Sequence, residues 1–291
     1  MPLRIDTVIN ALNRSNLDSL PRGELFINRD FLDHFFGAYT GQYTKQLKAA
    51  AQCLGLSAIG VELDADRPRA LLSDRACKEL EEFFTVGIIN GPVSLLIEEN
   101  GFFNAMLSIS KDRSLFHGIA VKFLKDADEE VKSARAKGLQ AIAIADDIAG
   151  NKGLLFPLHY FSDVVVPVYR EVAETAKASG LRTFFHSDGD MRKVIELLVK
   201  AGYDCLHPVD TQAGLDLYKL KEEFGERISF MGHIDIISWS KERIEKEIGL
   251  AENSFKKGGL ILGSTCGLSM KTVSDKLGAL YPRWEREIAQ L

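Results

Sequence analysis

From about residue 56 onward, short apolar runs alternate with longer stretches whose apolar residues recur every three or four positions. The runs "SAIGVEL", "FFTVGII", "LQAIAIA", "LRTFFHS", "YDCLHPV", "RISFMGHI" and "GGLILGS" have the length and β-branched or aromatic content of buried strands. Between them "DEEVKSARAKG", "FSDVVVPVYREVAETAKASG", "MRKVIELLVKAG", "LDLYKLKEEFG" and "KERIEKEIGLAENSFKKG" carry the helical period, and most end in the glycine that a left-handed cap prefers. A last helix is expected over "MKTVSDKLGALYPRWEREIAQ". The first fifty-odd residues read differently, as helices "DTVINALNRS", "NRDFLDHFFGAY" and "YTKQLKAAAQCLG" around a Pro-Arg-Gly break at 21 to 23.

Buried strands that alternate with helices imply parallel β/α units with both sheet faces covered. Seven strand candidates nearly fill an eight-fold count, and the eighth is expected in the ambiguous region 101 to 126. The pattern therefore predicts an α/β fold, a (β/α)8 barrel forming one domain over 1–291 with residues 1–54 as an N-terminal helical extension. An open doubly wound sheet is the competing architecture. Neither GxGxxG after the first strand nor GxxxxGK[ST] occurs to support it.

Composition narrows the function classes. With a formal charge of -5 and acids and bases mixed along the chain, there is no basic block of the kind that nucleic-acid backbones select. Neither a membrane-spanning apolar stretch nor a signal-peptide pattern is present, so a cytoplasmic location away from the membrane is expected. The four cysteines are far apart, without CxxC spacing, which argues against a disulfide framework or a zinc ribbon.

In a barrel the chemistry sits at the carboxyl ends of the strands. Those ends carry Glu62 and Asp64, Asn90, Asp146 and Asp147, then His186, Asp188 and Asp190, then His207 and Asp210, His233 and Asp235, and finally Cys266. Carboxylates, imidazoles and one thiol converging on one face make a metal or acid/base site, and zinc suits that donor set. Plainer roles compete with each assignment. Asp188 or Asp190 can simply cap the helix that follows, and His186 can be a core histidine. Cys266 precedes a helix expected from Ser269, whose dipole would lower the thiol pKa. Because adjacent side chains on a strand point to opposite faces, only one of Asp146 and Asp147 can face the cavity, and Asp147 is preferred.

The segments "ADDIAGNKGLLFPLHYFSDVVVPVYREV", "FFHSDGDMRKVIELLVKAGYDCLHPVD", "FMGHIDI" and "GGLILGSTCGL", in that order across the C-terminal half, resemble the uroporphyrinogen decarboxylase superfamily. The resemblance implies a barrel with its site at the carboxyl end. The arginine-rich N-terminal segment by which true decarboxylases grip a polycarboxylate tetrapyrrole is missing, and "NRSNLDSLPRGELFINRDF" stands in that region. The other branch of the superfamily comprises cobalamin-linked methyltransferases, whose zinc ligands match His186, a residue near Asp210, and Cys266. Where that branch has a second cysteine this chain has Asp188, a harder donor better suited to polarising an ether oxygen than to activating a thiol.

The resemblance thus implies a zinc-dependent methyltransferase. It would move a methyl group from a small methoxylated substrate, such as an aromatic ether, to the cobalt of a corrinoid on a separate partner protein. Zinc is expected on His186, Asp210 and Cys266, with Asp147 and Asp188 catalytic. Asn90, His233 and the aromatic residues Phe102, Phe103 and Tyr160 are expected to contact the substrate. "DHFFG" at 33 to 37 lacks the spacing of the cobalamin-binding Asp-x-His-x-x-Gly pattern, so the corrinoid belongs on the partner. The superfamily also carries the expectation of a homodimer. The alternative is a metal-free decarboxylase for a tetrapyrrole or smaller acid, with Asp147 and His186 handling protons.

Overall fold

A computed structural model describes residues 4–37, 43–63, 74–111, 113–273 and 275–284 of the chain. Its centre is an eight-stranded parallel sheet. The strands are β1 (Gly23–Glu24), β2 (Ala58–Glu62), β3 (Phe84–Asn90), β4 (Ala141–Ala145), β5 (Arg182–His186), β6 (Cys205–His207), β7 (Ser229–Ile234) and β8 (Leu260–Ser264). Each pairs with its sequence neighbour. The sheet closes where Arg22 bridges Leu262 in parallel and the Leu262 N–H donates to the Pro21 carbonyl at 2.9 Å. Sequential parallel strands with covering helices make a (β/α)8 barrel.

The period of two along each strand separates two apolar layers. Ala58, Phe84, Val86, Ile88, Ala141, Ala143, Phe184, Cys205, Met231 and Ile261 fill the barrel interior, and Val8 and Leu12 of helix Arg4–Leu12 pack into the same cluster from the amino-terminal side. The intervening residues, among them Ile59, Ile142, Ile144, Phe185, Leu206 and Phe230, face outward into a larger layer under the helices. The seven apolar runs are all strands, and Cys205 is buried mid-barrel.

Two elements differ from expectation. Residues 101 to 126 hold no strand: the described part is helical, Phe102–Lys111 and Arg113–Ala136. The eighth strand is instead β1, two residues inside the region expected to be purely helical. So short a strand leaves no periodic trace, because its backbone pairing with β2, not its side chains, defines it. The C-terminal helix is also interrupted. A 3-10 turn at Met270–Thr272 precedes helix Lys276–Leu280, which stops before Pro282, a residue that disfavours helical backbone at its predecessor; residues 285–290 of that expected helix lie outside the described residues.

β1 carries a fully buried carboxylate. Glu24 accepts from the Ser264 backbone N–H at 2.7 Å and the Ser264 hydroxyl at 2.9 Å, and Tyr281 Oη donates to its Oε1, so one side chain ties β1 to β8 and to the C-terminal helix. Burial outweighs these donors and pushes the Glu24 pKa up to about 7. A carboxyl whose pKa is higher folded than unfolded loses stabilisation as pH rises between the two values, here from about 4.5 to about 7. Glu24→Gln keeps the shape without the ionisation. Denaturant titrations at pH 5 and pH 8 should therefore show the variant gaining on the wild type at the higher pH; an unchanged difference would mean that Glu24 does not titrate in this range.

Candidate active site at the barrel mouth

β4 ends in two acids that part company. Asp146 is fully buried and turns outward, where Oδ2 accepts from Val93 N–H (3.0 Å) and Tyr169 Oη (2.7 Å) and Oδ1 from Ser94 N–H (2.6 Å). It thereby caps helix Pro92–Asn100, whose preceding Gly91 leaves room, since a Cβ there would lie 2.3 Å from the carboxylate. Burial raises the Asp146 pKa to about 6 against these donors. Asp147, the next residue, is exposed at the mouth.

β5 ends in "HSDGD", and its loop is stitched to that of β4 strand end by strand end. The Asp146 N–H donates to the His186 carbonyl (2.9 Å), Ile148 N–H to Ser187 Oγ (3.1 Å), Asp188 N–H to Asp147 Oδ1 (3.0 Å) and Asp190 N–H to the Gly150 carbonyl (3.0 Å). Gly189 makes the approach feasible. Its φ of +91° is a left-handed conformation, and a Cβ would fall 2.7 Å from the Ala149 carbonyl group. Its N–H donates to Asp210 Oδ2 (3.1 Å), joining the β6 loop to the same assembly.

These bonds bring ligand-capable atoms of Asp147, His186 and Asp188 within 4.8 Å of one another. His186 Nε2 stands 3.9 Å from Asp147 Oδ1. Burial pulls the His186 pKa down to about 4, opposed by Asp147, so the ring is neutral near pH 7 and has a lone pair to offer. Asp188 is pushed up to about 6 by burial and by the neighbouring carboxylates of Asp147 and Asp210. Uncompensated acids gathered beside a neutral imidazole are an O/N donor set to which a divalent cation would bring the missing positive charge.

The other expected residues fall elsewhere. Asp210 lies outside the three-residue group; its Oδ1 accepts from Gln212 N–H (2.9 Å) and Ala213 N–H (3.2 Å), the pattern of a turn cap. Cys266 is exposed at the end of β8 and also stands apart from the group. Its thiol is pushed up to about 12 by burial and by the acids Glu24, Asp235 and Asp188. That reverses the expected lowering, because only a 3-10 turn follows and supplies little dipole. Neither Asp188 nor Asp190 caps the helix that follows, Ile195–Ala201, whose N-cap Val194 has no side-chain bond; Asp190 instead receives Arg192 N–H (3.2 Å) in the preceding turn and is gripped by the Arg192 guanidinium at 2.7–2.8 Å.

His233 turns away from the mouth. Consecutive left-handed residues, Gly232 (φ +96°) and His233 (φ +93°), interrupt the strand's alternation, and the ring meets Glu247 Oε1 at 2.9 Å beneath helix Lys241–Ser254, with Trp239 edge-on. Tyr160 is buried among Phe116 and Phe156 with the Arg113 guanidinium over its ring, in the helical layer. Phe102 and Phe103 stand solvent-exposed on their helix. Asn90 is half-buried at the end of β3, Glu62 closes β2 with Oε2 buried and without a hydrogen-bond partner among the described residues, and Asp64 lies outside them.

Two residues to which the sequence reading gave no role complete the site. His207 faces His186, Nδ1 to Nδ1 at 2.8 Å, and Phe26 packs edge-on against both rings at 4.8 and 6.0 Å between centroids. His207 occupied a strand end in the sequence, but only the register pairing His186 with His207 makes them neighbours. Nothing marked Phe26.

The family model for uroporphyrinogen decarboxylase (URO-D) matches residues 73–284. The chain belongs to the uroporphyrinogen decarboxylase family. No curated protein matches it. Among solved structures, this family member is similar to a methyltransferase from Methanosarcina mazei, with TM-score 0.74, 15% identity and 98% of each chain covered. It is also similar to a D-allulose 3-epimerase from Methylomonas sp. (TM-score 0.58, 11% identity, 95% and 99% covered). A third likeness is to a sugar phosphate isomerase/epimerase from Parabacteroides distasonis (TM-score 0.52, 11% identity, 94% and 96% covered). Likenesses this distant speak for the barrel. Among the described residues, no helix is long and apolar enough to cross a membrane.

The left-handed Gly189 yields a direct test of the stitching. Gly189→Ala should cost about 1–3 kcal/mol in denaturant unfolding, from backbone strain and the clash with Ala149. Full stability in the variant would show that the β4 and β5 loops are not locked together.

Proposed function

We propose that this member of the uroporphyrinogen decarboxylase family is a zinc-dependent methyltransferase. It takes a methyl group from a small methoxylated substrate and passes it to a corrinoid carried by a separate protein. The observation that carries this reading is the Asp147–His186–Asp188 cluster at the mouth, within 4.8 Å atom to atom. The overall likeness to a methyltransferase supports the reaction class.

The cluster fits a zinc ion by donor type, with one neutral nitrogen and two carboxylate oxygens, as in catalytic sites that keep a position open. When bound, the ion would act as a Lewis acid on the ether oxygen. The chain's own residues prepare that position. His186 presents a neutral ring, Asp147 is braced by the Asp188 N–H, and Asp188 has no competing side-chain cation among the described residues. Asp147 and Asp188 thus serve the chemistry as ligands, and Asp210 holds the Gly189 turn behind them. Cys266, at the carboxyl end of β8 though apart from the three-residue group, is a further candidate donor, its thiolate favoured by a bound cation. Asn90 and Glu62, at the ends of β3 and β2, are the polar groups assigned to the substrate. Transfer would break the methyl carbon–oxygen bond, leaving its pair on oxygen, and join the methyl carbon to the reduced cobalt of the partner's corrinoid, which supplies the pair for the new bond; positive charge at the cluster would be worth most at that oxygen.

The decarboxylase reading fits the site less well. A polycarboxylate entering this mouth would meet Asp147, Asp188 and Asp210, and the acids repel it.

Elemental analysis after zinc loading and dialysis should find about one zinc per chain. His186→Ala or Asp188→Asn should weaken binding at least tenfold, a loss of about 1.4 kcal/mol. Methyl transfer from methoxylated compounds to an added corrinoid protein should fall with the metal. Wild-type protein that binds no divalent cation, or that decarboxylates acids equally well in chelator, would defeat the reading.

A further inference from the structure

We infer that His207 is a positioning residue that sets the tautomer of His186 and thereby aims the His186 Nε2 lone pair into the carboxylate cluster. The inference rests on the proposed cation site for its purpose, though its geometry stands independently.

His186 and His207 are 9% and 1% exposed and sit opposite each other at the last rung of the β5–β6 ladder. Their Nδ1 atoms are 2.8 Å apart, a hydrogen-bond distance. Two nitrogens that close cannot both carry hydrogen, and two bare lone pairs would repel. One ring must donate and the other accept.

Two arrangements satisfy the contact, and the cation proposed at the mouth separates them. If His207 donates, His186 carries its hydrogen on Nε2 and must find an acceptor at the mouth. The carboxylate oxygen of Asp147 lies at 3.9 Å, beyond hydrogen-bond reach, and no other carboxylate among the described residues accepts from that nitrogen. If His186 donates, its Nδ1–H is satisfied by His207 and Nε2 is left bare, facing Asp147 and Asp188. The second arrangement moves the other hydrogen to Nε2 of the buried His207, so donor counting alone is even; a cation on His186 Nε2 needs that lone pair bare, and only the second arrangement supplies it.

The surroundings keep the pair in register. The Ser187 N–H donates to the His207 carbonyl at 3.1 Å, continuing the ladder past the two rings, and Phe26 packs edge-on against both from the opposite side. A hydrogen-bonded partner that fixes ring orientation and tautomer commonly alters metal affinity 10- to 100-fold when removed.

The test compares three substitutions by zinc affinity, measured in competition with a chromophoric chelator, alongside 15N NMR of histidine-labelled, cation-free protein. In His207→Asn the amide oxygen can stand where Nδ1 stood and accept from His186; affinity should stay within about threefold of wild type, well inside the range attributed to a lost partner. His207→Phe keeps the ring but has no acceptor, and His207→Gln places its amide nearer the Nε2 position. Both should lose about 10- to 100-fold. In the wild type the NMR spectrum should show His186 protonated at Nδ1. A folded His207→Phe protein with wild-type zinc affinity would overturn the inference, as would His186 protonated at Nε2 in the cation-free wild type. Wild-type protein that binds no zinc would remove the proposed function, while the tautomer measurement would still judge His207; should His207→Phe fail to fold, the Asn and Gln pair and the spectrum decide.

Discussion

The site depends on hydrogen bonding that continues past the ends of β4, β5 and β6. Inside the barrel the ladder is backbone to backbone; at the mouth the same rungs are carried on by Asp146 N–H to the His186 carbonyl, Ser187 N–H to the His207 carbonyl, Asp188 N–H to Asp147 and Gly189 N–H to Asp210. Strand register is thereby transmitted to side chains that would otherwise be on mobile loops. A one-residue slip between β5 and β6 would turn His207 to the outer layer and leave His186 without its partner.

Electrostatics give this mouth its character. Burial works against the acids at 146 and 188 and against both histidines, and the charges of Asp147 and Asp210 press on Asp188, with no basic side chain among the described residues offsetting them. Arg192, on the same loop as Asp188, is spent on Asp190. Such a site holds a neutral imidazole and favours a positive visitor, two properties that belong together in a cation site. The same logic extends to Cys266, disfavoured as a thiolate by burial first and by the acids Glu24, Asp235 and Asp188 next.

Elsewhere the barrel uses buried acids as fasteners. Asp146 holds the start of helix Pro92–Asn100, Asp235 gathers Ile237 and Ser238 N–H groups with the Gln212 amide, and Glu24 closes β1 onto β8. Each stands at a strand end, as the cluster residues do, yet spends its oxygens on backbone, hydroxyl or amide donors that hold the fold together. Strand-end position alone therefore does not separate fastener from ligand.

What the sequence determined by itself was the architecture of the long elements and the list of candidates. Seven apolar runs of the right length, each followed by a helix, dictate a barrel because only parallel β/α units bury both faces of such strands, and "HSDGD" after one of them marks the functional end. It could not show β1, whose two residues carry no period, nor that the segment from 102 is helical, since its apolar residues suit either element. Nor could it sort His186 from His233, both at strand ends: consecutive left-handed residues turn one ring outward to Glu247, and strand register turns the other inward to His207. The physical reason is range. Periodicity and capping are local and legible within a dozen residues, whereas the company a side chain keeps at the mouth depends on register between strands roughly twenty to forty positions apart, which only the closed sheet decides.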